Sequence, residues 1–111
     1  MQRFNSSFGL LRYDQAHLQI AVRLAPDEPK PHISLGTALA IAGRLPEAAA
    51  EFESALRIDP NDAAVQSNLG LALSGIPGRL PDALHHLEEA DRLRPDPELE
   101  QEIAHLRAEQ R

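Results

Sequence analysis

The sequence predicts an all-α fold, a short solenoid of antiparallel helix pairs. The hexapeptide GRLPEA at residues 43–48 returns as GRLPDA at residues 78–83. Around both copies, apolar residues recur every three or four positions, which is the spacing of one helix face. Aromatic residues are 4% of the chain, so a core must come from Leu, Ile, Val and Ala, which suits closely packed helices. A unit that stacks on copies of itself must repeat its packing residues at a fixed period, and the duplication therefore indicates repeat architecture.

Composition narrows the function classes. The 111 residues suffice for one compact unit, with 17 acidic against 11 basic residues and a net charge of −6. Without a basic stripe to neutralise phosphates, we expect no nucleic-acid partner. The longest run without charge, residues 63–78, is too short to span a bilayer, and the first residues lack the apolar segment of a secretory signal. We therefore expect no membrane partner and take the cytoplasm as the default localisation.

The first 26 residues have two interpretations. One period before the first full copy, Leu18 and Pro26 take the places of Phe52 and Pro60, which indicates a partial repeat without its first helix. Alternatively, residues 4–25 form one long helix. Either interpretation leaves an apolar surface without a partner, which predicts a homodimer through the N-terminal helix. The predicted self-association residues are Phe4, Phe8, Leu11, Leu18 and Val22.

Residues 27–60 are predicted to be the first full repeat, with helices near 30–42 and 46–58. Leu35 and Leu39 line one helix, and Ala48, Phe52 and others line the other, so two apolar stripes face each other. A glycine inside a helix costs about 1 kcal/mol relative to alanine. The position of Gly36 in the first helix is therefore best explained by a neighbouring helix that passes directly over it.

Residues 61–95 are predicted to be a second repeat, with helices near 62–74 and 81–93. Gly70 repeats the position of Gly36, and one extra residue falls in the turn at residues 74–77. Upstream, Asp59-Pro60-Asn61-Asp62 is predicted to stop one helix and cap the next.

Residues 96–111 are predicted to be a C-terminal capping helix near 97–109. Its narrow apolar stripe of Leu99, Ile103 and Leu106 lies under an otherwise polar face. Solenoids need such a polar end for solubility.

The repeat pattern resembles the tetratricopeptide-repeat family. In the first copy, Leu-Gly-x-x-Leu begins at Leu35, Ala-x-x-x-Phe-x-x-Ala begins at Ala48, and the copy ends at Pro60; the period of 34 residues agrees with that family. The resemblance implies a right-handed solenoid that binds proteins, with the first helix of each repeat on the concave face.

The resemblance also implies which residues meet a partner. The matching concave positions are Lys30, Ile33, Ser34, Thr37, Ile41, Ala64, Ser67, Asn68 and Leu71. Asn68 is the strongest single candidate, because an amide can both donate to and accept from the backbone of an extended peptide. One subfamily clamps the C-terminal carboxylate of heat-shock chaperones with cationic and amide side chains. At those positions this chain has Ile33, Ser67 and Leu71, with Lys30 as the one cation, which argues against that ligand.

The sequence contains no convincing motif for a catalytic or metal-binding site. His86 and Glu89 lie one helical turn apart, but no further ligand pair at helical spacing joins them, so we expect no metal site. Asp59, Asn61 and Asp62 resemble a calcium loop but lack its glycine and glutamate. We find no phosphate-binding loop or nucleophile motif, and predict a non-catalytic protein-interaction module without a cofactor. A further alternative is the scaffold portion of a larger enzyme or assembly, because sugar transferases of this family carry such arrays.

Overall fold

The computed structural model describes residues 15–110, which form six α-helices and no strand. Helix α1 is described over residues 15–24. The others are α2 (Pro29–Ile41), α3 (Leu45–Ile58), α4 (Ala63–Ser74), α5 (Leu80–Leu93) and α6 (Pro97–Glu109). Every boundary of α2 to α6 lies within one residue of its predicted position, and the all-α prediction is confirmed.

The helices stack in one row. From α2 onward each helix packs against the next one along the chain, and α2 also contacts α4. The fold is therefore a solenoid, as predicted, and α2 and α4 lie side by side on one of its faces.

The core runs along this row. Its most deeply buried large side chains are Phe52, Leu69, Leu73, Leu87 and Val65. A smaller apolar cluster joins α5 to α6 through Leu84, Leu87, Ile103 and Leu106. Helix α6 thus covers the apolar side of α5 and turns a mostly polar surface to solvent.

The two helical glycines allow close helix contacts. A Cβ atom added to Gly36 would lie 2.7 Å from the Phe52 ring, and one added to Gly70 would lie 2.6 Å from the Leu87 side chain. Both distances are too short for real carbon contacts, so α3 passes directly over Gly36 and α5 over Gly70. The explanation predicted for these glycines is confirmed.

The duplicated hexapeptide builds the turn between paired helices. Gly43 and Gly78 have φ angles of 81° and 83°, in the left-handed region that favours glycine. The arginine that follows each glycine pairs with the acid three residues on, and the proline lies in the first helical turn, where an N–H would have no intrahelical acceptor. The alanines that end the hexapeptides, Ala48 and Ala83, are fully buried. Gly, Pro and Ala are thus repeated because the turn and its packing require them.

Helix α1 docks on the first repeat. Leu18 and Val22 are half-buried and pack against the main core. Their apolar surface is therefore partly used within the chain, rather than fully free for a second copy. The other predicted self-association residues, Phe4, Phe8 and Leu11, lie outside the described residues.

Candidate functional site

A shallow apolar groove lies between α2 and α4. It has a volume of about 270 Å³. Helix α2 contributes Thr37, Ala40 and Ile41, helix α4 contributes Asn68, Leu71 and Ala72, and α3 contributes Leu45 and Phe52. The groove exists because α2 and α4 are neighbours on the same face while α3 passes behind them.

Two large apolar side chains stand at the rim of this groove. Ile41 is 73% exposed and Leu71 is 48% exposed. Their neighbours about one helical turn away, Thr37 and Asn68, are polar, so each wall of the groove presents one apolar and one polar side chain at its rim. A concave site with apolar walls and few polar groups is the usual form of a ligand site.

The two polar side chains differ in availability. The Thr37 hydroxyl donates to the Ile33 carbonyl at 2.8 Å, within its own helix. The Asn68 side chain is half-buried and makes no hydrogen bond to another residue of the described range. Its amide is therefore free to donate and accept toward a bound molecule. Among residues 15–110, no charged residue lines the groove.

The remaining predicted concave residues lie elsewhere. Ser67 and Ala64 line a second, more polar depression of about 450 Å³, between the start of α4 and the connection of α5 to α6. Ile33 is half-buried against the core, Ser34 is half-buried and Lys30 is exposed, and none of these three lines either depression. The structure thus brings Thr37, Ile41, Asn68 and Leu71 together.

Sequence reasoning missed the floor of the groove. Phe52 packs over Gly36 and also lines the groove, yet its repeat position indicates only a core residue. Ala40, Leu45 and Ala72 are small or apolar positions of the same kind. A signal existed in the exposed pair Ile41 and Leu71, since apolar side chains on an open face imply an apolar floor between them.

The histidines form no metal centre within the described range. In residues 15–110, no three His, Asp or Glu side chains come together as metal ligands. His85 and His86 have ring centroids 5.2 Å apart, and His86 Nδ1 pairs with Gln66 Oε1 at 2.8 Å. None of the described helices is both long and apolar enough to cross a bilayer.

Comparison with known proteins identifies the fold. Residues 36–75 match the family model described as TPR repeat. The structure of YrrB, "a TPR protein with an unusual peptide-binding site", superposes with a TM-score of 0.72 at 25% identity, over 93% of this chain and 51% of YrrB. TTC0263, a TPR protein of Thermus thermophilus, gives a TM-score of 0.76 at 24% identity, over 92% of this chain and 52% of that one.

A third structure matches over nearly its whole length. The TPR2B domain of yeast Sti1, in complex with pHsp70, gives a TM-score of 0.78 at 19% identity, over 98% of this chain and 91% of that chain. The chain described here therefore has the fold of tetratricopeptide-repeat proteins, and its residues 36–75 match the repeat model of that family.

A curated relative matches a shorter segment. Protein O-mannosyl-transferase TMTC2 of Homo sapiens is 38% identical over 55 residues, which are 50% of this chain and 7% of that protein. The chain likewise spans about half the length of the YrrB and TTC0263 structures.

Proposed function

We propose that this chain is a non-catalytic module that binds an extended peptide segment of a partner protein in the groove between α2 and α4. One observation carries the proposal: exposed Ile41 and Leu71 stand on opposite walls of a concave apolar floor, with the Asn68 amide free beside them. Exposed large apolar side chains around a concavity are typical of recognition surfaces.

The lining of the groove indicates the chemistry of the ligand. A volume of about 270 Å³ and apolar walls suit one large apolar side chain. The Asn68 amide can bond the peptide backbone on either side of that residue, which tolerates sequence variation. Since no charged residue of the described range lines the groove, the carboxylate of a chain end would meet no cationic side chain among the lining residues. We therefore propose an internal, uncharged segment rather than a charged chain end.

Similar structures support the proposal at the level of the fold. YrrB is described as a protein with a peptide-binding site, and the Sti1 domain was captured with pHsp70. Those statements concern those proteins. They make peptide recognition by the same architecture a reasonable function for this chain.

A peptide-display selection tests the proposal. Immobilised chain is exposed to a random peptide library, and enriched peptides are measured against purified variants by fluorescence anisotropy. We expect enriched peptides to share one large apolar residue. Asn68→Ala combined with Leu71→Glu should weaken their binding by about tenfold or more, since a desolvated apolar contact and a backbone hydrogen bond are both lost.

The matched control is Ile58→Glu, which places the same charge at an exposed apolar position on α3 that does not line the groove. We expect the control to bind like the wild type. Equal affinity of the double variant and the wild type, at unchanged melting temperature, would show that the peptides bind elsewhere.

Self-association is a second candidate function, favoured by the outer surface of α1. Ile20 is 49% exposed and Leu24 is 80% exposed, one helical turn apart. Sedimentation velocity over a concentration series tests this candidate with the variant Ile20→Glu plus Leu24→Glu. A dimer that the variant abolishes supports a homodimer through this helix, whereas a wild type that remains monomeric throughout removes the candidate.

The scaffold portion of a larger enzyme or assembly is the remaining alternative. The match to a segment of TMTC2 supports it, since that protein is named as a transferase and the matched segment is a small part of it. Immunoblotting of the native protein decides the matter: a mass near 12.2 kDa contradicts this alternative, and a much larger mass supports it.

A further inference from the structure

His32 occupies an unusual position at the junction of α1, α2 and α3. It lies near the start of α2 and is only 7% exposed. Its Nδ1 atom is 2.8 Å from a carboxylate oxygen of Glu51 on α3, and its Nε2 atom is 2.9 Å from the carbonyl oxygen of Pro26, just after α1. One ring thus contacts both the turn after α1 and helix α3.

Both partners of this ring are hydrogen-bond acceptors. A carbonyl oxygen can only accept, and so can an ionised carboxylate. A neutral imidazole has one N–H and one bare nitrogen, so it can satisfy one of these contacts and places a lone pair against the other oxygen. The protonated ring donates to both. The observed geometry therefore fits the imidazolium form.

The second repeat forms the corresponding hydrogen bonds with uncharged side chains. Gln66 stands one period after His32, donates through Nε2 to the Pro60 carbonyl at 3.3 Å and faces His86 on α5. An amide has both a donor and an acceptor, so it bonds the carbonyl and also accepts from the Nδ1–H of a neutral His86. The junction of α3 and α4 is thus complete with no protonated group.

We propose that protonation of His32 controls how firmly α1 docks on the first repeat, so that α1 is held while the ring is protonated and loosened once the ring loses its proton.

The electrostatic environment agrees with this geometry. Burial by itself lowers the pKa of His32, but the hydrogen bonds to the Pro26 carbonyl and to Glu51, together with the Glu51 charge, outweigh it and raise the pKa above 6.5. Arg57, also on α3, opposes the rise. Because the docked state has the raised pKa, its stabilisation is complete below pH 6.5 and is lost as pH rises through the docked-state value.

Within the described range, other contacts of α1 carry no buried charge. Leu18 and Val22 pack on the core, and Arg44 donates to the Gln15 side chain at 3.2 Å in an exposed position. The bond from His32 to the Pro26 carbonyl, by contrast, involves a buried ring that can be charged. Its loss should therefore affect α1 well before the rest of the array.

Two NMR measurements on the complete chain test the proposal. Imidazole shifts recorded from about pH 5 to pH 9 give the pKa of His32, and amide hydrogen exchange gives the protection of residues 15–25, with α4 as an internal reference. We expect a His32 pKa above 6.5, and protection of α1, corrected for intrinsic exchange, that falls as pH rises through that value. Each unit of pKa difference between docked and loosened states corresponds to about a tenfold loss of protection.

The double variant His32→Gln plus Glu51→His is the matched control, because it transplants the hydrogen bonds of the second repeat into the first. We expect its α1 protection to be independent of pH between about 6 and 9. A His32 pKa at or below 6.5 in the wild type would overturn the proposal, whether or not the variant folds. Unchanged pH dependence of α1 in a folded double variant would also overturn it.

Discussion

The two full repeats bury equivalent apolar positions but begin their first helices differently. At the start of α4, the Asp62 carboxylate accepts a hydrogen bond from the Val65 N–H at 3.2 Å. At the start of α2, Glu28 occupies the capping position and makes no such bond. The residue that would donate is Pro31, which has no N–H. One repeat thus caps a free donor, and the other removes it with a proline.

The same contrast holds for the polar groups between the repeats. His32 with Glu51 in the first repeat corresponds to Gln66 with His86 in the second, and both sets join a proline carbonyl to the second helix of the pair. At a given helix spacing, few kinds of side chain fit a buried apolar position, whereas a carbonyl acceptor can be satisfied by several different donors. In this chain the two repeats therefore bury apolar side chains at equivalent positions but complete their hydrogen bonds with different groups.

Overpacking of the helical glycines should give the largest effect. Gly36→Leu and Gly70→Leu should each lower the free energy of unfolding by about 1–3 kcal/mol or more. We expect Gly70 to be the more sensitive, because an added Cβ there also meets the Ala83 main-chain oxygen at 3.0 Å, while at Gly36 the nearest atoms belong to the Phe52 side chain. Urea denaturation followed by circular dichroism measures both.

The control for these variants is Ala64→Leu, at an exposed position on α4. Leucine there should change stability by less than about 0.5 kcal/mol. Denaturation midpoints of both glycine variants that equal the wild type would contradict the close helix contacts.

The turn glycines should behave alike in the two repeats. Gly43→Ala and Gly78→Ala force a Cβ into the left-handed region, at a cost of about 1–2 kcal/mol each. No neighbouring atom of the described residues lies within 4 Å of either added Cβ, so the cost should come from the backbone alone. Thermal melts that show a loss for Gly43→Ala and none for Gly78→Ala would mean that the longer turn before α5 relaxes the requirement.

Removal of the residue at the capping position should affect the stability of the two repeats differently. Asp62→Ala should destabilise the chain by about 1 kcal/mol, because the Val65 N–H loses its acceptor. Glu28→Ala should be near neutral, since Glu28 makes no side-chain cap. Chemical denaturation of the two variants checks this difference. Equal losses would show that Glu28 stabilises α2 by a route other than capping.

The smallest expected effect is a difference in acid sensitivity between the wild type and a variant at His86. Burial, followed by the charge of His85, lowers the pKa of His86 below 6.5. The stability contributed by neutral His86 is therefore present above pH 6.5 and is lost as pH falls through its folded-state value, opposite in sign to His32. We expect His86→Gln to lose less stability than the wild type between about pH 7 and pH 5, by denaturant midpoint. An identical loss in both would contradict the assignment.

The sequence was sufficient for the helices, and less so for the groove. The apolar spacings and the stop signal at residues 59–62 indicated the boundaries, because helix period and turn chemistry are local constraints. The predicted row of concave residues included Lys30 and Ser67, which lie outside the groove, since a row of helix positions does not show how far two helices separate.

The polar contacts of His32 and Gln66 were not predicted. Each joins a helix to a turn carbonyl and to the following helix, and such a combination follows from tertiary packing rather than from residue spacing. The repeat alignment placed these two residues at equivalent positions, but their different chemistry concealed the shared role.

Peptide binding in the groove is tested most directly by an NMR titration of the labelled chain with a peptide from the display selection. We predict that the largest amide and methyl shift changes fall on Thr37, Ile41, Asn68 and Leu71, in the groove between α2 and α4. Saturable changes centred instead on the depression beside Ser67 and Asp96, or on the outer surface of α1, would contradict peptide binding in the groove.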